Sequence, residues 1–270
     1  MKKVAVITGA SSGMGKSVAH ILNDQGYIVY GAARRTEKMK DLEEKGMKIV
    51  SLDLTDQKSI TAAVDTIIKN EGRIDILINN AGYGSYGSVE EVSIEEAKRQ
   101  FEVNIFGLAR ITQLIIPFMR EQNSGRIVNI SSMGGKIYTP FGAWYHATKH
   151  ALEGWSDSLR IELKEFGIDV VVVEPGGIQT EWGGIAMEHL QNISGNGPYA
   201  NAVEKVMKGM EKSGSKLTHV EVLGKEIAKA ATVNKPKTRY VKGYMAKPTI
   251  MMRRWFSDKF FDRMLASQLK

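Results

Sequence analysis

The sequence contains no cysteine among its 270 residues, and none of its apolar runs is long enough to span a bilayer. Without cysteine, a disulfide framework and a thiolate-based metal site are both excluded, and we predict no metal site. Without a long apolar run, no transmembrane helix is predicted. The first apolar run, VAVI, is followed at once by a glycine-rich stretch, so it predicts a first strand rather than a targeting segment. We therefore expect a cytoplasmic protein.

Positive charge is in excess: the formal net charge is +7 at pH 7. Such an excess can indicate a nucleic-acid, membrane or other anionic partner. The basic residues are spread along the chain, however, and the only local concentration lies in the tail, between Lys235 and Lys270. This distribution does not predict nucleic-acid binding. It fits an anionic cofactor together with a tail that is either a solvated basic surface or a contact for an anionic surface.

Short stretches rich in Val and Ile recur along the chain with little alternation, which is typical of strands buried on both faces of a sheet. The predicted strands are 4–8, 28–32, 48–52, 74–79, 126–130, 169–173 and 239–245. Helical patterns separate them at about 15–25, 37–45, 57–70, 94–121, 146–166 and 220–233. The alternation predicts an α/β fold: one Rossmann-type domain over 1–270, with a doubly wound parallel sheet of about seven strands and helices on both faces.

A glycine-rich turn, TGASSGMG, follows the first predicted strand and has its glycines at positions 9, 13 and 15. Such a turn lets backbone N–H groups approach a phosphate at the N-terminus of the next helix. The spacing is not G-x-G-x-x-G, because Val18 stands at the last glycine of that motif. A P-loop is the alternative, since Gly15-Lys16-Ser17 matches its end, but Ala10 stands where its first glycine belongs.

Two arginines, Arg34 and Arg35, follow the second predicted strand. A site selective for NAD usually has an acidic residue here, which binds the ribose 2′-hydroxyl. The nearest acid, Glu37, comes too late. Guanidinium groups bind a 2′-phosphate through charge-assisted hydrogen bonds, unless both simply point into solvent. We therefore predict NADP(H) in preference to NAD(H).

The most informative residues are Asn104, Ser132, Tyr145 and Lys149. Tyr145 and Lys149 are four residues apart in a predicted helix, so they project from one face. A nearby ammonium stabilises a phenolate and lowers the pKa of a phenol, which is ordinarily about 10. Ser132 ends a predicted strand, where its hydroxyl can donate to an oxygen that gains charge. The set predicts proton transfer at a carbonyl or alcohol oxygen.

The motifs together resemble the short-chain dehydrogenases/reductases, in the shorter branch of that family. The matches run from Thr8 to about Thr180, in order and at the spacing of the family. They comprise the glycine turn, Asp53-Leu54, the NNAG stretch 79–82, Asn104, Ser132, Tyr145-x-x-x-Lys149 and the PGGIQT stretch 175–180. The resemblance implies hydride transfer between NADP(H) and a carbonyl or secondary alcohol, in a homodimer or homotetramer.

The resemblance also implies catalytic roles. Tyr145 would be the proton donor or acceptor, and Lys149 would bind the nicotinamide ribose and lower the pKa of Tyr145. Ser132 would orient the substrate oxygen. Asn104 would hold a water that links Lys149 to solvent, unless it is only a polar bracket within its helix. Asn79 would brace the sheet.

The implied cofactor site combines the glycine turn with the loops that follow the strands. Asp53 and Leu54 would meet the adenine, Ala81 and Gly82 the adenosine ribose, and the 175–180 segment would bracket the nicotinamide. The residues predicted to bind the cofactor are Gly9, Ser11, Ser12, Gly13, Met14, Gly15, Arg34, Arg35, Asp53, Leu54, Asn80, Ala81, Gly82, Tyr145, Lys149, Pro175, Gly176, Ile178 and Thr180.

Substrate choice is expected in side chains that flank these motifs. Aromatic and thioether groups predict an apolar pocket and a lipophilic substrate. About half of the following candidates are expected to touch it: Tyr83, Met133, Tyr138, Phe141, Trp144, Trp182 and Met187. A catalytically silent NADP-binding regulator is the alternative class. Its sign would be an incomplete catalytic set, whereas this set is intact.

Two segments outside the motifs have their own predictions. Residues 183–216 are punctuated by glycine and follow the nicotinamide-binding segment, which predicts a mobile lid over the substrate. Residues 247–270 carry apolar side chains at helical spacing with basic residues between them. This pattern predicts an amphipathic extension that packs on a partner subunit or closes the pocket. Contact with an anionic membrane is the alternative.

Overall fold

A computed structural model describes residues 2–269, apart from the side chain of Gln268. Met1 and Lys270, which belong to the predicted domain 1–270 and to the predicted extension 247–270, lie outside the described residues. The strands are β1 (Val4–Thr8), β2 (Ile28–Ala33), β3 (Lys48–Ser51), β4 (Ile76–Asn79), β5 (Gly125–Ile130), β6 (Ile168–Pro175), β7 (Ile178–Gln179), β8 (Thr218–His219) and β9 (Arg239–Lys242).

The helices alternate with these strands over most of the chain. They are α1 (Gly13–Asp24), α2 (Lys40–Glu44), α3 (Gln57–Glu71), α4 (Ile94–Phe101), α5 (Leu108–Glu121), α6 (Ala143–Glu162), α7 (Glu181–Ser194), α8 (Ala200–Ser213), α9 (Val220–Thr232), α10 (Ala246–Trp255) and α11 (Asp258–Ala266).

Seven strands form one parallel sheet in the order β3-β2-β1-β4-β5-β6-β9, and β7 pairs with β8 in a separate small sheet. This confirms the predicted doubly wound α/β fold. The strand order reverses between β1 and β4, so a crevice opens at the carboxyl ends of these strands. In folds of this kind, ligands bind at that crevice.

Helices cover both faces of the sheet because its strands are apolar on both sides. On one face, Val18 and Leu22 of α1 and Ile227 of α9 join the buried core. On the other face, the core includes Ile60 of α3 and Ile111 of α5. The buried strands therefore need no alternation of polar and apolar residues, as the sequence indicated.

The predicted helix 94–121 is one helical stretch with a π-helical turn, Glu102–Gly107, between α4 and α5. By length and composition alone, Ile94–Glu121 would suffice to cross a membrane, and 33% of its most apolar window is buried. Ile111, Ile115 and Met119 nevertheless pack in the core between α5 and the sheet. We therefore assign this stretch to the fold of the domain.

Candidate active site

The four groups predicted to carry the chemistry lie near the carboxyl ends of the central strands. Ser132 follows β5, and Tyr145 and Lys149 project from the first turns of α6. Asn104 lies in the π-helical turn, and its carboxamide contacts α6 through Thr148 at 3.1 Å. Ser132 Oγ accepts a hydrogen bond of 3.0 Å from the Gly134 N–H, which fixes the turn after β5. The fold thus brings together residues that are far apart in sequence.

Tyr145 is almost fully buried, with 7% of its surface exposed. Burial raises the pKa of Tyr145 to about 12, while the nearby Ser132 hydroxyl acts in the opposite direction. We had expected Lys149 to lower this pKa below its ordinary value. In the structure, the cost of burying a phenolate outweighs any such effect. Tyr145 is therefore a protonated phenol near neutral pH, which suits a proton donor.

Lys149 is buried next to Tyr145, and its Nζ lies 5.9 Å from the centre of the phenol ring. The ammonium donates a hydrogen bond of 2.9 Å to the carbonyl oxygen of Ile130, at the end of β5. Burial lowers the pKa of Lys149 to about 8, and the carboxylate of Glu153 partly offsets this. Most Lys149 side chains are thus charged at neutral pH, and the charge is lost as the pH rises through about 8.

The Asn104 side chain is occupied by hydrogen bonds within the chain. Its Oδ1 accepts from the Tyr83 N–H at 3.1 Å, and its Nδ2 donates to the Tyr83 carbonyl at 2.9 Å. A Cβ at Gly82 would lie 3.1 Å from Asn104 Oδ1 and 3.9 Å from Lys149 Nζ. Asn104 therefore joins the loop after β4 to α6, which gives it at least the role of a polar bracket.

The glycine turn forms a cradle between β1 and α1. Gly9 and Gly13 have positive φ angles of 68° and 55°, which side chains rarely adopt. Gly15 packs against the Gly9 backbone so closely that a Cβ there would clash with its carbonyl. α1 begins at Gly13 with no side-chain cap from Ser12 and no acidic residue in its first turn. Its N–H groups are thus suited to the phosphates of a dinucleotide.

Neighbouring polar groups hold this cradle in place. Asn80 donates to the carbonyl oxygens of Thr8 at 3.0 Å and Gly9 at 3.2 Å, and the Thr8 hydroxyl accepts the N–H groups of Asn80 and Ala81. The side chain of Asn80 therefore supports the turn. Asn79 braces the sheet as predicted, because it donates to Thr112 on α5 and to Asn129 on β5.

Lys16 decides between the two interpretations of the glycine turn. In a P-loop, the lysine of G-K-[ST] would reach the bound phosphates. Here Lys16 Nζ pairs with Asp41 Oδ1 on α2 at 2.7 Å and donates to the Lys38 carbonyl at 3.0 Å. The side chain is thus engaged on the α2 side of the helix, which argues against a P-loop.

The adenosine end of the predicted cofactor site contains Arg34, Arg35 and Asp53. Arg34 is exposed after β2, and Arg35 lies 3.8 Å from Glu181 at the start of α7. Burial acts to raise the pKa of Asp53, but hydrogen bonds from Thr55 and the charge of Arg34 hold it below its ordinary value. Leu54 is buried in the core, so its side chain serves packing as well.

The predicted nicotinamide end of the site is the turn after β6. Gly176 packs against the Tyr244 backbone, where a Cβ would clash. Thr180 lies above the glycine turn, with its Cγ2 3.5 Å from a Cβ built on Gly13. Ile178 belongs to β7, which β8 holds in place. The segment 175–180 thus reaches the glycine turn through Thr180, and the residues present fit a bound dinucleotide.

Aromatic rings cover Tyr145. The Trp182 ring, at the start of α7, lies 5.1 Å from the Tyr145 ring between centroids, and the Tyr86 ring lies 5.7 Å away. Sequence reasoning found Trp182 but missed Tyr86, which follows the NNAG stretch in GSYG. It also missed His146, whose Nδ1 lies 2.9 Å from the Gly134 carbonyl and whose Nε2 accepts the Thr139 N–H at 3.0 Å. His146 thus anchors the loop between Ser132 and Tyr145.

Three of the predicted substrate residues lie elsewhere. Trp144 faces a groove beside α4, lined by Ile94, Ala97, Lys98, Phe101, Glu102 and Phe106. Its neighbour Tyr145 faces the site, because consecutive helical residues point about 100° apart. Tyr138 contacts Phe261 of α11, and Met133 packs in the same cluster. Trp144 therefore contacts this groove, whereas Tyr138 and Met133 contact the C-terminal helices.

A buried charge cluster below the site was also missed. Arg239 of β9 hydrogen-bonds to Glu153 and Asp157 of α6 and to Glu174 of β6, at 2.6–3.1 Å. Lys136 pairs with Glu153 at 2.9 Å. Burial, together with the negative charge of Glu153, raises the pKa of Glu174 to about 7. This cluster fixes α6, which carries Tyr145 and Lys149, to the edge of the sheet.

Comparison with known proteins is consistent with this site. A family model described as "short chain dehydrogenase" matches residues 3–190. The chain belongs to the short-chain dehydrogenase/reductase family. It is thus an NAD(P)-dependent oxidoreductase, and its Rossmann-type architecture is that of the family.

Two relatives and one solved structure illustrate the similarity. The chain is 37% identical over 239 residues to a 3-ketodihydrosphingosine reductase of Bacteroides thetaiotaomicron, covering 88% of this chain and 86% of the relative. It is 33% identical to an NADPH-dependent 3-dehydrocapnine reductase of Ornithobacterium rhinotracheale, covering 99% and 98%. A short-chain dehydrogenase of Streptomyces avermitilis superimposes with a TM-score of 0.80 at 32% identity, covering 98% and 94%.

Proposed function

We propose that this protein is an NADPH-dependent reductase of a lipophilic ketone, in particular a long-chain compound with a ketone at the third carbon. The observation that carries the proposal is the convergence of Ser132, Tyr145 and Lys149 at the carboxyl edge of the sheet, beneath the Trp182 and Tyr86 rings. Two relatives named for 3-keto or 3-dehydro substrates support the choice of substrate class. The aromatic cover supports an apolar substrate.

The chain supplies binding, orientation and a proton. A bound nicotinamide supplies the hydride. Ser132 Oγ and the Tyr145 hydroxyl act together on the substrate oxygen, and Tyr145, protonated at neutral pH because of its raised pKa, gives its proton to that oxygen as charge develops. The Lys149 ammonium stabilises the phenolate that remains. Bulk solvent then restores the proton.

The preference for NADPH is carried by Arg34. Its guanidinium is exposed after β2 beside Asp53, where the ribose of the adenosine would lie. Arg35 contributes less, because Glu181 is its nearest anion. The name of the Ornithobacterium relative, which specifies NADPH, supports the same choice.

We propose that residues 183–216 act as a lid, with Trp182 at its base. Trp182 and Tyr86 bury the phenol of Tyr145, so a substrate must displace at least one of these rings. Gly183 and Gly184 have no atoms near the position of an added Cβ, which suits a segment that shifts. If the lid closes on ligands, NADPH and substrate will slow limited proteolysis between α7 and α8. Unchanged cleavage would contradict a lid.

Self-association is proposed through the groove beside α4, as a homodimer or homotetramer. The groove exposes Phe106, which is 57% exposed, and Ile94, which is 52% exposed. Lys98 and Glu102 flank it with opposite charges, which suits contact with a second copy. A cytoplasmic location remains a prediction.

A screen of NADPH consumption tests the proposed function. The enzyme is offered ketones of graded chain length, from a water-soluble 3-ketone to 3-ketodihydrosphingosine, with a matched Tyr145→Phe variant as control. We expect kcat/KM to rise with chain length and the variant to be at least about 100-fold slower. NADPH binding without turnover of any carbonyl compound would instead favour the silent regulator.

A further inference from the structure

The C-terminal helices α10 and α11 pack on the chain's own active-site loop. Phe261 and Leu265 of α11 are buried against Ile137. The Tyr138 ring meets the Phe261 ring edge to face at 5.2 Å, and the Tyr138 hydroxyl donates to Asp262 Oδ1 at 2.8 Å. Since Ile137 and Tyr138 lie between Ser132 and Tyr145, these helices are seated directly beside the proposed site.

The opposite side of the same helices leaves large apolar groups in solvent. We define the tail patch as Met251, Trp255, Phe256 and Phe260, which are 59%, 77%, 52% and 43% exposed. The Phe256 and Phe260 rings are stacked at 4.6 Å, and Trp255 and Phe256 border a groove that Pro248 and Met252 also line. So large an exposed aromatic surface indicates an interaction site.

Positive charge surrounds the tail patch. Lys247, Arg254, Lys259 and Arg263 are exposed on α10 and α11. Two aspartates lie in the same segment: Asp258 pairs with Arg253 at 2.7 Å, and Asp262 keeps its charge while it accepts from the neutral Tyr138 hydroxyl. Residues 246–269 carry five basic and two acidic side chains, so their net charge is +3.

The combination of exposed aromatic rings and basic residues favours one kind of partner over another. In a two-fold symmetric contact between copies, each patch would meet its own basic rim, and like charges would oppose each other. An anionic bilayer surface matches both features at once, since aromatic rings enter the interface between headgroups and acyl chains while Arg and Lys meet the headgroups. The groove beside α4, where Lys98 is balanced by Glu102, is the better surface for a second copy.

We propose that the tail patch docks this protein on anionic lipid bilayers. The helices would lie on the bilayer surface and not cross it, because α10 and α11 are short and their inner faces pack against Ile137 and Tyr138. Docking would bring the loop from Ser132 to Tyr145 towards the bilayer. The proposal stands on the surface alone and does not require the proposed substrate.

Vesicle co-sedimentation of the full chain tests the proposal. The probes are vesicles of phosphatidylcholine alone and of phosphatidylcholine with phosphatidylserine. We expect at least about tenfold stronger binding to the anionic vesicles, lost at high salt because the charges are exposed. The double variants Trp255→Ser/Phe256→Ser and Arg254→Glu/Lys259→Glu should each lose most of this binding. Ile161→Ser, an equally exposed apolar site on α6, is the control and should bind as the unaltered protein does.

Two further measurements distinguish a loss of lipid binding from misfolding of the variants. Circular dichroism and turnover of a water-soluble ketone should be unchanged in the tail-patch variants, because none of the substituted residues belongs to the proposed site. Equal binding to neutral and anionic vesicles, or unchanged binding by either double variant, would overturn the proposal. So would a fall in the sedimentation mass of Trp255→Ser/Phe256→Ser in the absence of lipid, because that would assign the tail patch to a second copy.

Discussion

The sheet with its first six strands and the segment from Ile178 onward are built in different ways. In the first region, backbone groups form much of the proposed cofactor site, namely the glycine turn and the N-terminus of α1, and the carbonyl of Ile130 holds Lys149. In the second region, side chains of the later helices pack against the proposed site: Trp182 contacts the Tyr145 ring, and Phe261 contacts Ile137. From this difference we expect the chemistry to depend on the first region, and the choice of substrate to depend on the second.

The largest expected effect is on Tyr145, in the first region. Tyr145→Phe removes only a hydroxyl, and the ring still packs against Trp182 and Tyr86. We expect kcat to fall by about 10²–10⁴, the usual contribution of a general acid, while the Kd for NADPH changes little. Steady-state kinetics and quenching of protein fluorescence by NADPH measure the two quantities. Most of the activity surviving in this variant would contradict the assignment.

Arg239 joins the two regions, since it lies on β9 and binds carboxylates of α6 and β6. Arg239→Leu leaves the buried Glu174 without its guanidinium partner and Glu153 with Lys136 alone, so we expect a loss of about 3 kcal/mol in the free energy of unfolding. Urea denaturation measures it. The control Lys208→Leu breaks an exposed pair with Glu204 and should cost under about 1 kcal/mol. Equal effects of the two variants would show that burial of the cluster does not matter.

Arg34 tests the cofactor selectivity of the first region. Charge-assisted hydrogen bonds contribute about 1.5–3 kcal/mol, so Arg34→Asp should raise the Kd for NADPH by about 10–100-fold and leave the Kd for NADH nearly unchanged. Arg35→Asp is the matched control, with a smaller effect expected because Arg35 lies beside Glu181. Titration calorimetry with both cofactors measures these constants. Equal affinities of the unaltered protein for NADPH and NADH would contradict the preference.

Trp182 tests the second region, where the smallest effect is expected. An aromatic contact contributes about 0.5–1.5 kcal/mol, so Trp182→Ala should raise KM for a long-chain ketone by about 3–10-fold. A small water-soluble ketone should be affected less. Ile185→Ala, at an exposed position of the same helix, is the control. If KM for both ketones rose equally in Trp182→Ala, Trp182 would not select the substrate.

The sequence predicted the first region closely because local signals define it. β1 has the predicted bounds 4–8, and the ends of the other predicted strands lie within two residues of the observed ends, except that β9 ends at Lys242 rather than at 245. The sheet order could not be read from propensity, but the motif order matched a family with a known sheet. The π-helical turn at Glu102–Gly107 was missed, since no local residue pattern separates it from a continuous helix.

The second region was predicted less well, because its contacts join distant residues. Arg239 meets Glu153 across 86 positions, and Tyr138 meets Asp262 across 124, so neither pair has a sequence signal. Trp144 was a candidate for the pocket because it flanks Tyr145 in sequence, but only the folded chain shows that it lines the groove beside α4. The raised pKa of Tyr145 depends on rings from the loop after β4 and from α7, which only the folded chain brings together.

Transfer of a labelled hydride tests the central claim most directly. The enzyme is incubated with NADPH deuterated at the transferable position of nicotinamide C4, together with 3-ketodihydrosphingosine, and the product is examined by mass spectrometry. The account predicts a reduced product with one deuterium at the third carbon from the unaltered protein, formed at least about 100-fold more slowly by Tyr145→Phe. Absence of labelled product from the unaltered protein, or equal labelling by the variant, would contradict it.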